Sequence, residues 1–165
     1  MSDVTIRPAV ASDASGICHV HQRAVRILCR FDYTADQVEG WIGARVPQNY
    51  VESMTSGEQL WVAESYGQVV GFAGRKGPEI TAVYVDPHYA RQGIGQQLLQ
   101  VVEQSAATGG VPCVYLDASL TAVSFYTNAG YKSVENGTHR LRSGVEIACV
   151  RMEKRLMRQR AASGS

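Results

Sequence analysis

Residues 79–99, EITAVYVDPHYARQGIGQQLL, run from a β-branched stretch into a glycine turn and then into an amphipathic segment. Glu79–Val85 reads as a strand ending at Asp86-Pro87. Gly93-Ile94-Gly95 then opens a helix with Ile94, Leu98, Leu99, Val101, Val102 and Ala106 on one side, and Gly109-Gly110 stops it. A turn of this kind leaves the first N–H groups of the helix free, with the helix dipole behind them, and glycine lets a phosphate approach the backbone. The same glycines also serve simply to make a tight turn.

The remaining segments fall around this unit. Val4–Pro8 reads as a strand. Ser12 is placed to cap a helix carrying Ile17, Val20, Ala24, Ile27 and Leu28, and Thr34 with Gln37 forms a capping box for a second helix burying Val38, Trp41 and Ile42. Arg45–Glu58 reads as irregular, with one helical turn around Tyr50–Met54. Gln59–Glu64 and Gln68–Arg75 form a hairpin about Tyr66-Gly67. Val111–Asp117 is a further strand, and Ser119 is placed to cap a helix containing Ala122, Phe125, Tyr126 and Ala129 that Gly130 ends. Lys132–Glu135 and Val145–Glu153 make a closing antiparallel pair across a polar loop, 136–144. The order βααβββαβαββ is a mixed α+β (mixed α/β) arrangement with one strand–helix–strand crossover, expected as a single domain over residues 1–154 with a frayed tail at 155–165.

Composition excludes several function classes. Sixteen Lys and Arg against fifteen Asp and Glu give a net charge of +1, without the basic excess of a nucleic-acid binder. No apolar run approaches the roughly 20 residues a membrane span needs, and the first residues lack the apolar core of a signal peptide, so a cytoplasmic protein is expected. Cys18, Cys29, Cys113 and Cys149 form no C-x-x-C pair, and His19 and His21 point to different helix faces, so no metal site is expected.

Three phosphate-binding patterns compete for the glycine turn. A P-loop needs Gly-Lys-Ser/Thr, which the chain lacks. A dinucleotide fingerprint needs G-x-G-x-x-G directly after its strand, but Leu98 stands at the third glycine and Asp86–Gln92 intervene. The third pattern fits. A-R-Q-G-I-G, residues 90–95, resembles the pyrophosphate-binding signature [QR]-x-x-G-x-[GA] of the GNAT superfamily of acetyl-CoA-dependent N-acetyltransferases, with Ala90 at the first position. V-Y-V-D-P (83–87) resembles that family's fourth strand. L-D-A-S-L-T-A-V-S-F-Y-T-N-A-G-Y (116–131) resembles its later strand and helix, with Ser119 where asparagine is usual and Ala122, Phe125, Tyr126, Gly130 and Tyr131 in register. The likeness covers roughly residues 4–154 and is nearest to small bacterial members.

The resemblance implies a mostly antiparallel central sheet with one parallel, splayed strand pair, flanked by helices. It implies acetyl-CoA as the donor, its pantetheine arm bonding to exposed backbone at Val83, Tyr84 and Val85, and its pyrophosphate held by Arg91, Gln92, Gly93, Ile94, Gly95 and Gln96. Ser119 would contact the arm. Val83 N–H would face the thioester carbonyl, and Tyr126 occupies the family's general-acid position. Glu79, four residues before Val83, is expected to share its strand face with Thr81, Val83 and Val85 and to serve as general base; Asp117 and an ordered water are the alternatives. The implied acceptor is a primary amine on a small molecule or peptide, taken up in a ternary complex, and homodimers are common in similar proteins. Two other classes stay open: a non-catalytic acyl-CoA-binding domain, and a partner-binding domain docking through a helix surface around Trp41 and Trp61.

Overall fold

The computed structural model describes residues 3–156. Seven strands, β1 (Val4–Pro8), β2 (Gln59–Ser65), β3 (Gln68–Lys76), β4 (Glu79–Val85), β5 (Cys113–Ser119), β6 (Lys132–Arg140) and β7 (Glu146–Arg155), form one sheet in the order β1-β2-β3-β4-β5-β7-β6. Every neighbouring pair is antiparallel except β4–β5, which is parallel. Five helices complete the fold: α1 (Ala14–Leu28), α2 (Ala35–Ile42), α3 (Pro47–Thr55), α4 (Ile94–Thr108) and α5 (Val123–Asn128).

The helices divide between the two faces because their apolar stripes need opposite sides of the sheet. α4 buries Ile94, Leu98, Leu99, Val102 and Ala106 against Ala73, Ile80, Leu116, Ala118 and Met152. On the other face α1 buries Ile17 and Val20 against Val62 and Phe72, and Val25 packs with Val38, Ile42 and Ile147. Phe72 stacks on Tyr84 with ring centroids 5.6 Å apart. Trp61 packs with the α4-side cluster and Trp41 with the α1-side cluster, its ring edge-on to Tyr33 at 5.4 Å. The two tryptophans therefore make no common docking surface, correcting that expectation.

Several local expectations change. Ser12 does not cap α1; it lies in a 3-10 turn, Ala11–Asp13, and Asp13 Oδ2 accepts from Val10 N–H at 2.8 Å while pairing with Arg7. Thr34 and Gln37 form the capping box as expected, exchanging bonds of 3.1 and 3.0 Å. The stretch read as irregular contains α3, begun by Pro47 at its first position with Asn49 Oδ1 accepting from Val46 N–H at 2.9 Å. β5 runs on to Ser119, whose side chain caps nothing; a 3-10 turn, Leu120–Ala122, precedes α5. The expected loop 136–144 is largely strand, since β6 extends to Arg140. Arg155 still pairs with Cys113, and Leu156 is buried. The rest of the expected tail lies outside the described residues.

One irregularity matters for chemistry. Between β3 and β4 the register moves from Gly74↔Ala82 to Arg75↔Ile80, leaving Thr81 as a bulge. Gly74 makes room for it: a Cβ there would meet Leu60 Cδ2 and Thr81 Oγ1, each at 2.6 Å. The extra residue shifts the alternation of β4, so Ile80, Val83 and Val85 pack toward α4 while Ala82 and Tyr84 pack toward α1. Glu79, next to Ile80, is thereby turned to the α1 face. It does not share a face with Val83 and Val85, contrary to the simple period-2 reading.

Candidate active site

β4 and β5 are paired at Glu79↔Tyr115, where Tyr115 N–H donates to Pro78 O at 3.1 Å, and then part. On the other edge of β4, Asp86 N–H donates to Val70 O at 2.8 Å. Backbone polar groups alternate along an antiparallel strand, so Val85 and Val83 direct theirs away from β3 and toward the gap. Unpaired edge groups of this kind call for a partner. The gap holds a slot of about 40 Å³, lined by Thr81, Val83, Leu116, Ala118, Ser119 and Tyr126.

Tyr126 reaches this slot from α5. It is 6% exposed, edge-on to Phe125 at 5.0 Å and to Tyr131 at 5.4 Å. Its hydroxyl takes no hydrogen-bond partner among the described residues, and burial pushes its pKa up, so it holds its proton. Tyr131 is different: its O–H donates to Glu103 Oε2 at 2.7 Å, an anchor for packing.

The glycine turn lies at the open end of the gap. Asp86 fixes its entrance, accepting from His88 N–H and from Arg23 Nε, both at 2.9 Å. Arg91 (φ 63°) and Gly93 (φ 81°) both adopt left-handed backbone, a conformation costly for arginine and free for glycine. No side chain caps α4, and its first backbone bond runs from Gln97 N–H to Gly93 O at 3.0 Å. The N–H groups of Ile94, Gly95 and Gln96 consequently have no helical acceptor. They border a cleft of about 480 Å³ whose wall includes Val83, Tyr84, Val85, Arg91, Gly93 and Ser119. Among the expected contact residues, Gln92 does not line this cleft, and Tyr126 lines the slot rather than the cleft. Tyr89, Ala122 and Phe125 do line it and were not foreseen as contacts; the aromatic-rich segment 122–126 carried the signal, but its period reads equally well as core.

On the α1 face lies a polar pocket of about 140 Å³, lined by His21, Arg45, Glu79, Tyr84, Asp117 and His139 among others. Asp117 is engaged: Arg151 Nε donates to Oδ1 at 2.7 Å, and His139 Nδ1 lies 4.0 Å from Oδ2. Glu79 forms no ion pair among the described residues. His21 is 5% exposed, with Nδ1 2.8 Å from Tyr50 Oη, and burial pushes its pKa down to about 3. Val83, Tyr84, Ser119 and Ala122 line both cleft and slot, while Thr81, Tyr84, Asp117 and Ser119 line both slot and pocket. The cleft also reaches Ala24 and Leu28 of α1, so cleft, slot and pocket share walls around the split between β4 and β5.

Comparison with known proteins agrees with this architecture. The Acetyltransferase (GNAT) domain family matches residues 29–156. The uncharacterized N-acetyltransferase YafP of Escherichia coli is 29% identical over 135 residues, covering 82% of this chain and 85% of the relative. A crystal structure of a GCN5-related N-acetyltransferase from Rhodopseudomonas palustris superposes with a TM-score of 0.87 at 30% identity, covering 94% of this chain and 98% of that one. The PaiA N-acetyltransferase of Thermoplasma acidophilum, solved in complex with coenzyme A, superposes with a TM-score of 0.75 at 20% identity, covering 93% and 99% of the two chains.

Proposed function

Because the chain belongs to the GNAT acetyltransferase family, we propose that it transfers an acetyl group from acetyl-CoA to a primary amine across the β4–β5 split, by direct attack in a ternary complex. The observation that carries this reading is the passage from cleft through slot to polar pocket. The residues suit acetyl-CoA: free backbone donors at Ile94–Gln96 match a pyrophosphate, and the unpaired edge at Val83 and Val85 matches an amide-bearing arm. Arg91 adds a cation at the same wall.

When bound, acetyl-CoA supplies the activated acyl carbon. Glu79, on the acceptor side and without a competing ion pair, takes a proton from the incoming ammonium directly or through a water. An amine with a pKa near ~10.4 is mostly protonated at pH 7, a penalty of roughly 4–5 kcal/mol, much of which a general base removes. Asp117 is the weaker candidate because Arg151 already occupies its oxygens. As the new C–N bond forms and the C–S bond breaks, Val83 N–H donates to the carbonyl oxygen as it gains charge, an interaction worth roughly 3–4 kcal/mol. Tyr126 gives its hydroxyl proton to the departing sulfur and recovers one from solvent. The test is thiol release with acetyl-CoA against a broad amine panel, with calorimetry alongside. Turnover with at least one amine is expected. Tight binding without turnover across the panel would leave a non-catalytic acyl-CoA-binding domain instead.

A further inference from the structure

The polar pocket on the α1 face divides by charge. Toward the sheet it presents Glu79 and the Asp117–Arg151 pair; toward α1 and the α2–α3 connection it presents His21 and Arg45. Arg45 is half-buried and pairs with no carboxylate among the described residues; its guanidinium lies 5.7 Å from the Tyr50 ring centroid. His21 Nε2 is buried without a partner. Its other nitrogen, Nδ1, is spent on Tyr50. Burial and the nearby charge of Arg45 keep that ring neutral. The α1 side of the pocket thus offers the Arg45 guanidinium as a donor, while Glu79 offers an acceptor for an ammonium.

We infer that the acceptor is a free amino acid, its carboxylate held by Arg45 and its amino group turned toward Glu79 and the slot. The inference rests on the acetyl-transfer reading and names the substrate of that same site. One unpaired cation and one unpaired anion in a pocket of about 140 Å³ match a small zwitterion. A polyamine or an aminoglycoside would leave Arg45 facing another positive charge. Leu141, Ile147 and Trp41 supply an apolar wall for a side chain.

The experiment uses the twenty L-α-amino acids, β-alanine and γ-aminobutyrate, each against its own carboxamide, with the full chain. Two readouts are taken: calorimetric binding to protein saturated with coenzyme A, and thiol release with acetyl-CoA. At least one amino acid is expected to exceed its carboxamide by roughly 100-fold in affinity and in kcat/KM, since a site built to bind a charged acceptor rejects the neutral analogue. Arg45→Met should abolish that preference, chiefly through KM, leaving coenzyme A affinity unchanged; Arg45→Lys should recover part of it. Carboxamides, polyamines or peptides bound as well as the amino acids would overturn the inference while leaving acetyl transfer intact. So would Arg45→Met with its preference unaltered. Absence of coenzyme A binding would instead strike at the acetyl-transfer reading.

Discussion

Tyr126→Phe removes one hydroxyl from the slot between β4 and β5. The ring is 6% exposed and the hydroxyl has no partner among the described residues, so its loss breaks no internal hydrogen bond. Stability should change by less than about 1 kcal/mol, because the polar atom being deleted has no protein partner among the described residues. Catalysis should respond very differently. A positioned general acid contributes typically 10²–10⁴-fold, so kcat is expected to fall by at least about 100-fold, or about 2.7 kcal/mol in barrier height. Affinity for coenzyme A should hold, since the pyrophosphate cradle at Gly93–Gln96 does not involve this hydroxyl. The assay is thiol release at saturating amine, with calorimetry and a thermal melt on the same sample. Tyr131→Phe is the control: its O–H bonds Glu103 at 2.7 Å, so it should cost about 1–2 kcal/mol of stability and leave kcat nearly unchanged. A Tyr126→Phe enzyme within threefold of the parent kcat would remove Tyr126 from the chemistry.

Gly93→Val should both strain the turn, by about 1–2 kcal/mol at φ 81°, and set a side chain in the cradle. Displacing one charge-assisted backbone bond, about 1.5–3 kcal/mol, predicts at least roughly tenfold weaker acetyl-CoA affinity by calorimetry; an unchanged Kd would refute the cradle. Cys113→Ala should keep full activity, because Cys113 begins β5 away from the linings of cleft, slot and pocket, and an acetylated Cys113 in a mass spectrum would contradict direct transfer. The folded-state pKa of His21 is lowered from 6.5 to about 3, so below pH 6.5 the unfolded chain binds a proton that the folded chain refuses. Stability contributed by the neutral ring is therefore complete above pH 6.5 and declines as pH falls toward 3. Urea melts of His21→Phe should show a flatter pH dependence over this range, and identical slopes would show that His21 titrates normally.

How much of this was legible in the sequence depends on whether a segment buries an apolar stripe. β4 and the start and stop of α4 lie where periodicity and glycine put them, and the Thr34–Gln37 box caps α2 as its spacing required. β6 starts at Lys132 and pairs with β7 as expected, but its extension from Asn136 to Arg140 is not legible, because every residue there is exposed and an edge strand held by β7 alone carries no alternation to detect. Of α3 only the turn at Tyr50–Met54 is legible, because Tyr50 is its one buried residue, although Pro47 and Asn49 mark its start. The cleft side of the site followed from motif and turn chemistry. On the acceptor side the placement of Glu79 did not, because the Thr81 bulge flips it to the opposite face and a bulge leaves no trace in a period-2 pattern. Arg45 and His21 sit on separate elements whose approach is a tertiary fact.

The proposed site depends on backbone amides of two separate elements gripping one ligand. Amide hydrogen exchange, residue by residue with and without acetyl-CoA, measures this directly. Slowed exchange is expected at Val83, Val85 and Ile94–Gln96 together, backbone groups without a helix or sheet partner among the described residues. Binding that slowed exchange elsewhere and left these amides unprotected would contradict the proposed site.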